Sequence, residues 1–269
     1  MIPHSILFAL LISAIACDEK PKSTNSVVLH NGAYVQVTNW QTEGAPLDTT
    51  TLAVLSSDIF SLEIWAAGDT LPAGYIGSPA LFTVANDQGG NEIGIARTPG
   101  DSSSIFIWIG DRWGGSYSIS RCDWNNAKRF TQIVVTYDGS TVRVYGNGEA
   151  LGSRTLNEDL DIGLNDAYIG ADYDVTNTAA PLGNFWYGAV DEVRIWTKIL
   201  PASEMSFRYR NPDKLTRNYS PSGLDDLLGL WRFNQKGRDG DIVPDGSGKG
   251  NDATLHSGTG QLGFTSKGA

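Results

Sequence analysis

Short runs of alternating apolar and polar residues recur along the chain. Residues 59–65 set Phe60, Leu62 and Ile64 on one side and Ser61 and Glu63 on the other, the period of a strand with one face in a core. Apolar runs of strand length follow at 81–84, 92–96, 104–109, 132–137, 141–145 and 167–170, separated by clusters of Gly, Pro, Asn and Asp. Three dipeptides, Asn31-Gly32, Asp138-Gly139 and Asn147-Gly148, each predict a two-residue hairpin, because both central positions of that turn need positive φ. Only residues 201–209 read as a helix, opened by Pro201 with Ser203 and Glu204 in a polar first turn. Many short strands with almost no helix predict a sandwich or jelly roll.

The strongest strand covers residues 185–196, where Val193 and Ile195 alternate with Glu192, Arg194 and Trp196. The same alternation sets Asp191 on the side of Val193 and Ile195. A carboxylate on an inward face needs a partner, since an unpaired buried charge is too costly to keep.

Composition narrows the class. At 269 residues with 41% hydrophobic content, one large all-β domain over 27–269 is the expected unit. The formal net charge of −10 repels phosphate backbones, which argues against a nucleic-acid partner. Residues 6–16 are a continuous apolar run, of signal-peptide length and short for a membrane span, so 1–16 read as a signal peptide. The polar residues 17–26 read as a flexible tether. Two cysteines, Cys17 and Cys122, allow no disulfide framework. Either Cys17 is modified and Cys122 is a single buried thiol, or the two form a disulfide. Three scattered histidines and two cysteines offer no zinc site.

Several motifs carry a family resemblance. Gly188-Ala-Val-Asp-Glu-Val-Arg-Ile-Trp196, followed by Leu200-Pro-Ala-Ser-Glu204, resembles the closing segment of laminin-G-like domains in the concanavalin A-like superfamily. Residues 130–149 are similar to that family's central hairpin, and residues 228–234 with 244–255 to its tryptophan strand and glycine-rich loop. The resemblance implies an all-β jelly-roll sandwich of two antiparallel sheets with one short helix near 201–209. In many members the tryptophan strand comes first; here it is C-terminal, and is expected to close the same sandwich from the other end. Separately, Ala14-Ile-Ala-Cys17 resembles the bacterial lipobox. That implies lipidation of Cys17 and an extracytoplasmic home, at the outer membrane or cell surface. Ordinary secretion is the alternative.

Candidate chemistry falls into three classes. Ca²⁺ takes six to eight oxygens, and the loop at 244–252 offers Asp245, Asn251 and Asp252 among glycines. Relatives often hold a structural Ca²⁺ with the aspartate of the closing strand, matched here by Asp191. The competing reading is that Asp245 and Asp252 make Asx turns and Asp191 accepts backbone N–H groups. Trp108, Asp111, Arg112, Trp113, Tyr117 and Trp124 crowd one stretch and are the residue types of a sugar site, or else pack in core and sheet. Catalysis by retaining glycoside hydrolysis needs two carboxylates about 5–5.5 Å apart. Glu63 stands alone on its strand, and His30 and His256 form no triad with Ser and Asp. The expectation is a non-catalytic recognition module at the cell surface, with carbohydrate as ligand and structural Ca²⁺. A protein–protein adhesion module is the alternative, and a glycan-cleaving enzyme comes third.

Overall fold

The computed structural model describes residues 25–37, 59–85, 91–110, 112–119, 122, 124–126, 129–157, 166–173, 181–217 and 224–266. The expectations for the signal peptide, most of the tether, Cys17 and Asp111 lie outside them.

In chain order the strands are β1 (Ser26–His30), β2 (Tyr34–Val37), β3 (Ile59–Gly68), β4 (Ala80–Ala85), β5 (Asn91–Arg97) and β6 (Ser104–Ile109). Next come β7 (Arg112–Ser118), β8 (Thr131–Asp138), β9 (Thr141–Gly146), β10 (Glu149–Thr155), β11 (Ala167–Ile169) and β12 (Asp172–Tyr173). They are followed by β13 (Leu182–Gly183), β14 (Gly188–Trp196), helix α1 (Ala202–Arg210), β15 (Leu227–Trp231), β16 (Ile242–Val243), β17 (Ala253–His256) and β18 (Gln261–Thr265). Two antiparallel sheets result. The first runs β10-β9-β8-β3-β14-β1-β18, with β15 also paired to β14; the second runs β16-β17-β2-β11-β4-β5-β6-β7. The alternating apolar residues meet between them, with Leu62, Ile64, Val135 and Val193 facing Val35, Phe82, Ile95 and Ile107 in one core. This is the concanavalin A-like architecture, all-β with a single helix among the described residues. Among the described residues no helix is long and apolar enough to cross a membrane.

Asp138-Gly139 and Asn147-Gly148 form the hairpins β8–β9 and β9–β10. Asn31-Gly32 does not. Both residues have positive φ and the Ala33 N–H donates to the His30 carbonyl at 3.2 Å, so the turn itself forms. But β1 pairs with β14 and β18, while β2 pairs with β11 and β17. The turn therefore carries the chain from one sheet to the other. The C-terminal strands divide likewise: β15 and β18 join the first sheet, β16 and β17 the second.

A bulge in β14 overturns the face expected for Asp191. The register with β3 slips by one residue between Asp191 and Arg194, and Glu192 sits at φ 47°, a bulge conformation. Val193 and Ile195 point to the core as expected, whereas Asp191 lies opposite Trp65, which packs on the outer face with Tyr209.

That outer face of the first sheet is closed by charge. Glu63 accepts from Arg208 Nε at 2.8 Å, Arg194 Nη1 at 3.3 Å and Gln132 Nε2 at 2.5 Å. Glu192 pairs with Arg194 and with Arg232, the latter at 3.1 Å. Arg194 also donates to the Pro212 carbonyl, and Arg208 Nη1 to that of Leu215 at 3.0 Å. Arg208 comes from α1, whose start follows Pro201 as the sequence predicts. Burial alone would raise the Glu63 carboxyl pKa, but Arg208, Arg194 and Gln132 outweigh it and hold it below its ordinary value. The helix and the segment after it are thus locked onto this sheet.

Cys122 is buried and disulfide-bonded. The only other cysteine of the chain, Cys17, lies outside the described residues.

Candidate functional site

The outer face of the second sheet carries a groove between β6, β7 and the small β12–β13 ribbon. Its floor begins at Gly94 on β5. A Cβ there would come within 1.7 Å of the Trp108 ring, so only glycine lets that indole lie flat on the sheet. Phe106, two residues along β6 on the same face, packs against it with ring centroids 5.1 Å apart.

Trp113 joins them because of a second bulge. Ile107 pairs with Gly115, but Trp108 pairs with Trp113, leaving Gly114 as the extra residue. Gly115 has φ 116°, a conformation that L side chains rarely adopt. Without the slip Trp113 would share the inward face of Tyr117; with it, Trp113 stands beside Trp108 on the outer face. It is 57% exposed, and the Arg154 guanidinium from β10 sits over its ring at 5.5 Å, within cation–π range.

The opposite wall is polar. Asn184, at φ 47°, donates from Nδ2 to Asp172 Oδ2 at 3.0 Å and accepts the Ser78 N–H at 3.4 Å. Its own carbonyl accepts the Ala80 N–H at 2.6 Å, which pins the wall to β4. Ser78, Phe106, Trp108, Arg112, Trp113, Asp172 and Asn184 line a depression of about 440 Å³, within the range of small-molecule sites. Flat apolar faces lie on one side, and carboxylate, amide and guanidinium groups on the other.

The groove brings together Trp108, Arg112 and Trp113 from the expected cluster. Tyr117 belongs to the other face: it packs against the core and donates its hydroxyl to the Gly114 carbonyl at 2.8 Å, and burial raises its pKa. Trp124 is 1% exposed and meets Trp186 edge-on in the core, 5.7 Å between centroids, so it packs rather than presents a ring. The sequence reading missed Phe106, Arg154, Asp172 and Asn184. Phe106 was legible as the residue two before Trp108 on one strand; the other three arrive from strands and loops remote in sequence.

The acidic loop is held by its own hydrogen bonds. Asp245 Oδ1 accepts the Leu230 and Ser247 N–H groups at 2.9 and 2.8 Å. Its Oδ2 accepts the Ser247 hydroxyl at 2.6 Å and the Asn251 N–H at 3.1 Å. Asp252 Oδ1 accepts the Asp245 N–H at 2.8 Å, while Asn251 donates to the Leu228 carbonyl at 2.7 Å. Asp191 accepts the Glu192 N–H at 2.8 Å. Among the described residues no group of three or more His, Cys, Asp or Glu side chains is placed to hold a metal ion. In this arrangement the four expected ligands Asp191, Asp245, Asn251 and Asp252 take part in the hydrogen bonds of bulge and loop.

A laminin-G family model, of the concanavalin A-like lectin/glucanases superfamily, matches residues 31–206, well over half of the chain. The chain belongs to this superfamily. Among solved structures, a carbohydrate-binding candidate from Bacteroides ovatus ATCC 8483 superposes with TM-score 0.58 at 14% identity. The match covers 91% of this chain and 60% of that one, so the chain spans about three fifths of its length. The heptameric SAP-like pentraxin of Limulus polyphemus follows with TM-score 0.52 and 12% identity over 70% of this chain and 82% of that one. The Ruminococcus gnavus IT-sialidase CBM40 bound to α2,6-sialyllactose gives 0.50 and 10% over 71% and 98%. At these identities the likeness is one of superfamily fold. No curated protein matches the chain.

Proposed function

We propose that this chain is a non-catalytic glycan-recognition module acting outside the cytoplasm, a single jelly-roll domain over 27–269 behind an export signal at 1–16 and a tether at 17–26. The observation that carries the reading is the groove itself. Phe106, Trp108 and Trp113 line one side, and Arg112, Asp172 and Asn184 supply polar contacts. A sugar ring offers an apolar face of C–H groups and a rim of hydroxyls, and this arrangement matches both. The fold is shared with a carbohydrate-binding candidate and a sialyllactose-bound module, which is consistent with that use.

Support for a non-catalytic role comes from the carboxylates. Asp172 is the one carboxylate among the described residues lining the groove, whereas glycoside hydrolysis generally needs a pair. Glu63 and Glu192 are buried against arginines on the far sheet, and Glu63, held ionised, is no proton donor. The structural Ca²⁺ expected of Asp191, Asp245, Asn251 and Asp252 belongs to the same proposal, and thermal melts with added Ca²⁺ and with chelator test it.

The test is a glycan array probed with wild type and with Trp113→Ala. Saccharide binding reduced about tenfold or more in the variant at unchanged melting temperature is the expected result. An array without hits, beside capture of a protein partner that Trp113→Ala abolishes, would replace the reading with protein adhesion.

A further inference from the structure

We infer that the groove is built for an anionic saccharide, one bearing a carboxylate or sulfate, which Arg154 and Arg112 receive at the Trp113 end. This deepens the glycan reading and rests on it. The observation is a local reversal of charge. The chain is acidic overall, with 30 Asp and Glu against 20 Lys and Arg, yet two exposed guanidinium groups flank the most exposed tryptophan.

Arg154 differs from the arginines that carboxylates or amides hold. Arg194 and Arg208 are buried against Glu63, Arg232 meets Glu192, and Arg143 meets Asp138 at 2.5 Å. Arg97 donates to the Asp69 carbonyl and to Asn125. Arg154 makes no ion pair among the described residues; its partner is the face of Trp113. A guanidinium stacked on an indole keeps its N–H edge free for a planar anion, which it engages in a bidentate fashion. β10 reaches this place because the edge of the first sheet meets β7 there, so Arg154 stands over Trp113 at the rim of a groove built on the second sheet. Across the groove Asp172 is held by Asn184. It repels an anion at its own end and accepts from hydroxyls, and so fixes the direction in which a charged sugar lies.

The experiment is an array printed with matched neutral, uronate-bearing and sulfated versions of the same backbones, probed with wild type, Arg154→Gln, Arg154→Lys and Arg112→Gln. Wild type is expected to favour acidic members about tenfold over their neutral counterparts, the equivalent of one charge-assisted hydrogen bond. Arg154→Gln should lose that preference and melt as wild type does; Arg154→Lys should restore part of it. The uronate and sulfate arms tell the two anions apart. Equal or stronger binding of neutral members overturns the inference and leaves the glycan reading standing. An acidic preference that survives in both Gln variants overturns the assignment to these arginines. Silence across every glycan overturns the reading and the inference together.

Discussion

Single residues decide which side chains reach the groove, and glycine does so at two places. Gly94 exists to be covered: Trp108 occupies the space of its missing Cβ. Gly94→Ala is expected to lift the indole off the sheet, lower stability by about 1–3 kcal/mol as overpacking does, and weaken glycan binding. Thermal melts with tryptophan fluorescence check this; an unshifted melt and spectrum would contradict it. Gly114 and Gly115 turn Trp113 outward through the bulge. The glycines and the crowding of aromatic residues were visible in the sequence. The face taken by each ring was not, because a one-residue slip exchanges the two faces of a strand. That is why Tyr117 left the expected cluster. Trp124 left it for the core, where it met a tryptophan distant in sequence.

At the scale of elements the decisive feature is the charge network under α1. A glutamate alone on its strand gave no sign of its partners, because Arg194 and Arg208 come from a strand and a helix more than a hundred residues away. Removing one member leaves an uncompensated buried charge, so Glu63→Gln is expected to destabilise by about 3–5 kcal/mol in urea unfolding. Because the folded-state pKa of Glu63 is lowered, its contribution is full above the ordinary value of 4.5 and is lost as pH falls from there through the folded value. The wild type should therefore lose stability on that acid limb, and Glu63→Gln should show a shallower slope. Equal slopes would mean that the glutamate titrates alike folded and unfolded. The Asp245 loop makes the opposite case: its Asp-x-Ser-Gly pattern was legible, and the Asx turns it makes are the competing sequence reading. Thermal melts decide between that reading and a bound cation: a saturable rise with Ca²⁺ that is lost in Asp252→Asn puts the cation on the loop, and an unmoved melting temperature leaves the Asx turns alone.

For the whole molecule, alternation and family motifs carried the architecture, two antiparallel sheets and one helix, while pairing across long stretches of chain stayed hidden. Asn31-Gly32 is the clearest instance: its turn chemistry reads locally as a hairpin, yet its strands go to different sheets because each finds more extended partners elsewhere. Cys122 is a second long-range feature. Peptide mapping without reductant is expected to recover it in a disulfide, and a Cys122 that alkylates freely would contradict that bond. The central proposal concerns a place: the groove on the outer face of the second sheet is the ligand site, while α1 and the segment after it cover part of the first sheet's outer face. A crystal structure with the tightest-binding array glycan tests this most directly. The account predicts a sugar ring stacked on Trp108 or Trp113, with its hydroxyls toward Asp172 and Asn184. A glycan seated instead in the cleft of about 500 Å³ lined by His30, Arg238 and Gln261 would contradict it.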